Sequence, residues 1–207
     1  MPVFNDVLKP FIPEASIPIV SEWIKTYPLQ IKITAARASK LGDYRCPVGK
    51  NKIHKISVNR SLNPYAFLIT LTHEYAHLLC FEKYQNRVLP HGNQWKQIYK
   101  GLLYELLKSN IFPSEIEAEL MRSILGTIYA SSTSEKGLQK ALSLYNVHQE
   151  PGVLLEELPA DTLFKIPGGR VFNKGEKIRT RYKCFCLTNK RWYFVSSVAR
   201  VMPVENA

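Results

Sequence analysis

Long hydrophobic runs, a leader-type N-terminus and paired cysteines are all missing from this chain of 207 residues. No apolar stretch reaches the roughly 20 residues that a helical membrane span needs, so no membrane association is expected. Met1-Pro2-Val3-Phe4-Asn5-Asp6 has neither the basic start nor the apolar stretch of a secretory signal, which points to a cytoplasmic setting. Cys46, Cys80, Cys184 and Cys186 are too few and too unevenly spaced for a disulfide framework. The one close pair, Cys184-Phe185-Cys186, has a one-residue gap and no second pair to complete a metal ribbon, so both read as small buried residues. Acidic residues are also scarce: 17 against 28 Lys and Arg, a net charge of +11. That balance suits a polyanionic partner without saying where it binds.

The chain does contain a hydrophobic fraction of 45%, enough to bury a core. Within it lies His73-Glu74-Tyr75-Ala76-His77. Two histidines one helical turn apart aim their imidazoles at one point, the spacing of a zinc site, and a glutamate between them can take a proton from a water that the metal activates. The flanking text supports a helix. Asn63 is a capping residue, Pro64 suits the first helical position, and apolar residues continue through Leu78, Leu79, Cys80 and Phe81. Ionisable side chains inside so apolar a helix would cost several kcal/mol if unpartnered, an objection that a metal removes.

A catalytic zinc takes three protein ligands and keeps one position open. Glu82 to Pro90 reads as a polar loop, after which His91-Gly92-Asn93-Gln94-Trp95 starts a second helix, making His91 the preferred third ligand. Glu105, Glu115, Glu117 and Glu119 are its rivals. Trp95, one turn beyond His91, is either a wall of the metal pocket or an ordinary core aromatic. His54 and His148 have no partner by spacing and read as surface or edge residues.

His73-Glu74-x-x-His77 followed by His91-Gly92-x-x-Trp95 resembles the SprT-like zinc metallopeptidases, a family that includes the Spartan proteases acting on DNA–protein crosslinks. The likeness extends upstream through Ala36-Arg37-Ala38-Ser39-Lys40-Leu41-Gly42-Asp43-Tyr44-Arg45, Ile56-Ser57-Val58-Asn59 and Leu62-Asn63, and covers about residues 15 to 110. It implies an α+β, minimal zincin-like core, one Zn²⁺ per chain held by His73, His77 and His91, and Glu74 as general base in peptide hydrolysis. The substrate would be a protein or peptide, and DNA-associated proteins are within its range. No small organic cofactor is expected. Many members carry a zinc ribbon with two cysteine pairs after this core, and this chain does not. In zincin-type peptidases an edge strand pairs with extended substrate, and Ile53 to Val58 is the strand expected to do so here.

The wider pattern divides into a metallopeptidase domain over 1–150 and a basic β-rich module over 151–207. In the first, Pro13 to Tyr27 predicts a helix, Leu29 to Ala35, Tyr44 to Val48 and Ile53 to Val58 predict strands, and helices follow Pro113 and Glu135 with a linker at Ala130–Ser134. The second reads as a small antiparallel module. Residues 160–200 hold ten Lys or Arg against Asp161 and Glu176, a net +8. Alternation along a strand from Ile178 to Leu187 places Lys177, Arg179, Arg181 and Lys183 on one face, either a phosphate contact for DNA or the solvated face of an outer strand; Phe185, Trp192 and Tyr193 nearby could stack on bases but are read as core. Two other functions stay open: a nucleic-acid-binding protein whose zinc site is structural or vestigial, and a metal-dependent hydrolase of something other than peptides.

Overall fold

The computed structural model describes residues 7–35, 37, 40–49, 52–126, 136–146, 152–166 and 168–204. The linker at Ala130–Ser134 and His148 lie outside them. The chain divides into two compact units, Met1–Val147 and His148–Ala207, and the whole is α+β. No helix of the described residues is long and apolar enough to cross a membrane.

In the first unit, α1 (Ile17–Thr26) buries Val20 and Trp23 and leads into a three-stranded sheet of β1 (Leu29–Thr34), β2 (Gly42–Arg45) and β3 (His54–Asn59). The strand order is β1-β3-β2, with β1 parallel and β2 antiparallel to β3. β3 is therefore the central strand with both edges paired, which overturns Ile53–Val58 as a substrate-pairing edge. Local text could not reveal this, because an edge is a property of the whole sheet. The free edges are those of β1 and β2.

The long helix α2 (Pro64–Tyr84) follows. Its start is set by Asn63, whose side chain accepts from Ala66 N–H at 3.0 Å and donates to Leu142 O at 2.8 Å and Asn146 Oδ1 at 2.7 Å. One buried amide thus caps α2 and ties it to α5 (Lys136–Ser143). Phe67 to Leu71 are almost wholly buried, as are Ala76 and Leu78. A helix apolar nearly all round belongs in the middle of a core. Here β3 and β2 cover it on one side and α3 (Asn93–Lys108) on another, while Trp23 of α1 stacks on Tyr75 with ring centroids 4.8 Å apart. The helix runs on through Glu82, which the sequence placed in a loop. α4 (Ser114–Leu125) completes this unit with α5.

The second unit is one antiparallel six-stranded sheet in the order β4-β9-β5-β6-β7-β8. Its strands are β4 (Val153–Leu154), β5 (Leu163–Lys165), β6 (Val171–Ile178), β7 (Arg181–Cys186), β8 (Arg191–Ser196) and β9 (Arg200–Pro203). Leu155, Phe164, Phe172, Cys184, Cys186 and Val201 form its core. Lys174 is buried within it, its ammonium donating to Leu158 O and lying 4.2 Å from the Tyr182 ring centroid.

The four-cation stripe does not exist as one strand face. β6 ends at Ile178, and Arg179 sits in the hairpin turn with φ of +54°. Lys177 belongs to β6, paired with Tyr182, so only Arg181 and Lys183 share a face of β7. A hairpin in place of one long strand reverses the chain and separates residues that simple alternation would align. The aromatics also differ from expectation: Tyr193 packs against the core, but Trp192 is 59% exposed.

Phe67→Ala, at a fully buried site, is expected to destabilise the first unit by about 3–5 kcal/mol in urea unfolding.

Candidate metal centre

His73 and His77 lie on successive turns of α2, and the chain after α2 reverses to bring a third imidazole onto them. Gln85 (φ +54°) ends the helix, and His91 adopts the left-handed conformation (φ +58°) that histidine tolerates better than most residues. Gly92 N–H donates to Leu89 O at 2.9 Å, and a Cβ on Gly92 would stand 2.9 Å from that same carbonyl. The turn is therefore tight enough to need glycine.

The three Nε2 atoms meet at 3.2 Å (His73–His77), 3.0 Å (His77–His91) and 3.2 Å (His73–His91). They form the one group of three or more potential donors able to hold a metal ion among the described residues. Glu105, Glu115, Glu117 and Glu119 are not in it. Burial, then the neighbouring imidazoles, pulls His73 down to about 3 and His77 to about 4, and burial followed by Lys96 lowers His91. All three are therefore neutral at pH 7, each able to offer a lone pair. Trp95 is fully buried behind them, its ring centroid 4.7 Å from His73, 5.1 Å from His77 and 4.7 Å from His91. Tyr99 backs it at 4.9 Å. Trp95 is at once pocket wall and core.

Glu74 is only 7% exposed. Its carboxylate faces β2, accepts the Tyr44 backbone N–H, and is raised to about 8, chiefly by burial and then by Asp43, with Lys40, Arg37 and that N–H opposing. Gly42 makes this approach possible. A Cβ there would lie 2.6 Å from Glu74 Oε1 and 2.8 Å from Thr70 Cγ2.

Three further residues escaped the sequence reading. Tyr44 lies parallel to the His77 ring, with centroids 6.3 Å apart and 5° between planes, and its hydroxyl meets His54 Nδ1 at 2.9 Å. His54 Nε2 in turn lies 3.2 Å from Glu82 Oε1. One tautomer satisfies both contacts: Tyr44 O–H donates to Nδ1, and Nε2–H donates to Glu82. His54 is 3% exposed, so it is no surface histidine, and burial lowers its pKa against the raising effect of Glu82. Nothing in local spacing signals a link from β2 through β3 to the last turn of α2. Gly42 and Tyr44 stand in the stretch that carries the upstream resemblance, but only the packing shows what they touch.

Residues 24–112 match the model of the SprT-like family. This segment is similar to the SprT-like family. The SprT-like segment takes in the end of α1, the whole three-stranded sheet, the three histidines and α3, and leaves the second unit outside the match. No curated protein and no solved structure matches the chain.

Gly42→Ala should force Glu74 and Thr70 aside at a cost of about 1–3 kcal/mol in urea unfolding, with the Glu74 carboxylate displaced in a crystal structure of the variant. The metal-free protein should also be acid-sensitive. His73, His77 and His54 titrate lower in the folded chain than the roughly 6.5 of an unfolded histidine, so below that pH the unfolded state gains more protons than the one extra proton that Glu74 keeps in the folded chain. Stability of chelator-treated protein should therefore fall steadily as pH drops from about 6.5 toward 4, read as a declining urea midpoint.

Proposed function

We propose that this chain is a zinc-dependent metallopeptidase of zincin-like architecture, with His73, His77 and His91 as the metal ligands and Glu74 as general base. The observation that carries this reading is the convergence of three neutral imidazole nitrogens beside a buried carboxylate on the adjoining residue. The donor set fits zinc: nitrogens about 2.0–2.1 Å from a tetrahedral ion are about 3.3–3.4 Å apart, close to the 3.0–3.2 Å between these Nε2 atoms. Three ligands leave a position open, which favours a catalytic over a closed structural site.

When bound, the ion would supply Lewis-acid polarisation of a water and of the scissile carbonyl. At about 8, Glu74 is largely protonated at pH 7 in the metal-free chain, and a cation held by the three histidines would favour its ionised form; that carboxylate, positioned by Tyr44 N–H and the bare face of Gly42, takes the proton from the attacking water and returns it to the leaving amine. Tyr44, braced by His54 and Glu82, holds β2 against that carboxylate. A polypeptide in extended conformation would pair with the free edge of β2, the strand that borders Glu74. The family match supports metallopeptidase chemistry, and an open metal position next to a buried base has no evident use in a purely structural site.

Wild-type protein purified without added metal should contain one zinc per chain and cleave an unfolded protein such as casein. Glu74→Gln should keep its zinc while cleavage falls by about 10²–10⁴-fold, and His91→Ala should lose most of the metal. Zinc-free wild type, or a Glu74→Gln variant cutting at the wild-type rate, would refute the assignment.

A further inference from the structure

The second unit presents aromatic rings to solvent where its sheet could have buried them. On β8, Trp192 is 59% exposed and Phe194 57% exposed, and their spacing of two residues puts both on one face. Opposite them on β7, Phe185 pairs with Trp192 and Lys183 with Phe194, while Arg181 pairs with Ser196. The alternate residues Tyr182, Cys184, Tyr193 and Val195 point the other way, into the core. Phe185 and Trp192 have ring centroids 5.1 Å apart, and the Lys183 ammonium lies 4.9 Å from the Trp192 centroid.

This face combines two chemistries. Arg181 and Lys183 stand on this face of β7, and neither β7 nor β8 holds an acidic residue. The exposed rings are flat and aromatic, suited to stacking on other rings, and the cations sit beside them at the reach of a phosphate. Bases can stack on such rings only when they are not already stacked in a duplex.

We propose that the β7–β8 face binds single-stranded nucleic acid, with bases stacked on Trp192 and Phe194 and backbone phosphates on Lys183 and Arg181. The charge complementarity is with a polyanion, and the exposed aromatics select the single-stranded form. Neither the zinc nor Glu74 takes part, so this site stands or falls independently of the proposed peptidase.

The test is a titration of the full chain at low salt with short oligothymidylate, oligouridylate and a duplex of equal length, followed by tryptophan fluorescence and by anisotropy of labelled probe. Trp23 and Trp95 are buried, so quenching on binding reports Trp192. We expect the single strands to bind with quenching and more tightly than the duplex; comparing the two oligomers tells whether DNA or RNA is preferred. Trp192→Ala and Phe194→Ala should each weaken binding about tenfold. Lys183→Gln should reduce the slope of log affinity against log salt by about 0.7. Met202→Ala, an exposed apolar residue on β9, should change nothing. Unaltered thermal midpoints would show that the variants fold. No binding, equal affinity for duplex, or affinity unchanged in Trp192→Ala would overturn the proposal. So would full binding by Trp192→Leu, which keeps apolar area but cannot stack, or a dimer in sedimentation that shields Trp192 from quenchers, since the face would then serve a protein contact.

Discussion

Burial of α2 constrains the rest of the first unit. A helix surrounded on nearly every side has no water to satisfy its polar side chains, so each must find a partner within the fold, at a cost of several kcal/mol where it does not. Thr70 and Thr72 turn their hydroxyls back to Ala66 O and Leu68 O, both at 2.8 Å. Glu74 takes the Tyr44 N–H. His73 and His77 meet each other and His91, and are walled by the rings of Trp95, Tyr99 and Tyr44. The same burial that drives the helix into the core keeps the imidazoles neutral, and neutral imidazole is the form that binds a metal.

β2 is the strand that turns this helix into a site. It pairs with β3 on one side and meets Glu74 on the other, and it is anchored by a hydrogen-bonded path from Tyr44 through His54 to Glu82 near the end of α2. Base, strand and helix are therefore linked by hydrogen bonds. Gly42 sets the separation: any side chain there would collide with Glu74. Such bracing is how a reactive side chain keeps its geometry without water to solvate it.

The second unit solves a different problem. Its small core of Phe164, Phe172, Leu155, Val201 and two thiols covers one face of the sheet, and even buries Lys174 by giving its ammonium a carbonyl and an aromatic face. The opposite face of β7 and β8 leaves Trp192 and Phe194 in solvent. Large exposed aromatics clustered with cations mark a contact surface more often than scattered apolar residues do.

Periodicity and motif by themselves determined a good deal: the helix beginning at Asn63 and Pro64, the placing of His73 and His77 on successive turns, the strands of the first sheet and the β character of the C-terminal part. These rest on local rules, namely capping, helical spacing and alternation, which are written within a few residues of one another. Only the tertiary structure decided which strand is central, that the Lys177 to Lys183 run bends into a hairpin, that His54 is buried between Tyr44 and Glu82, and that Trp192 faces water. Each of these depends on residues far apart in the chain, Tyr44 with Glu82 or Gly42 with Glu74, and on which face of a sheet the rest of the fold covers. No local pattern encodes that, because burial and edge position are properties of the assembled fold.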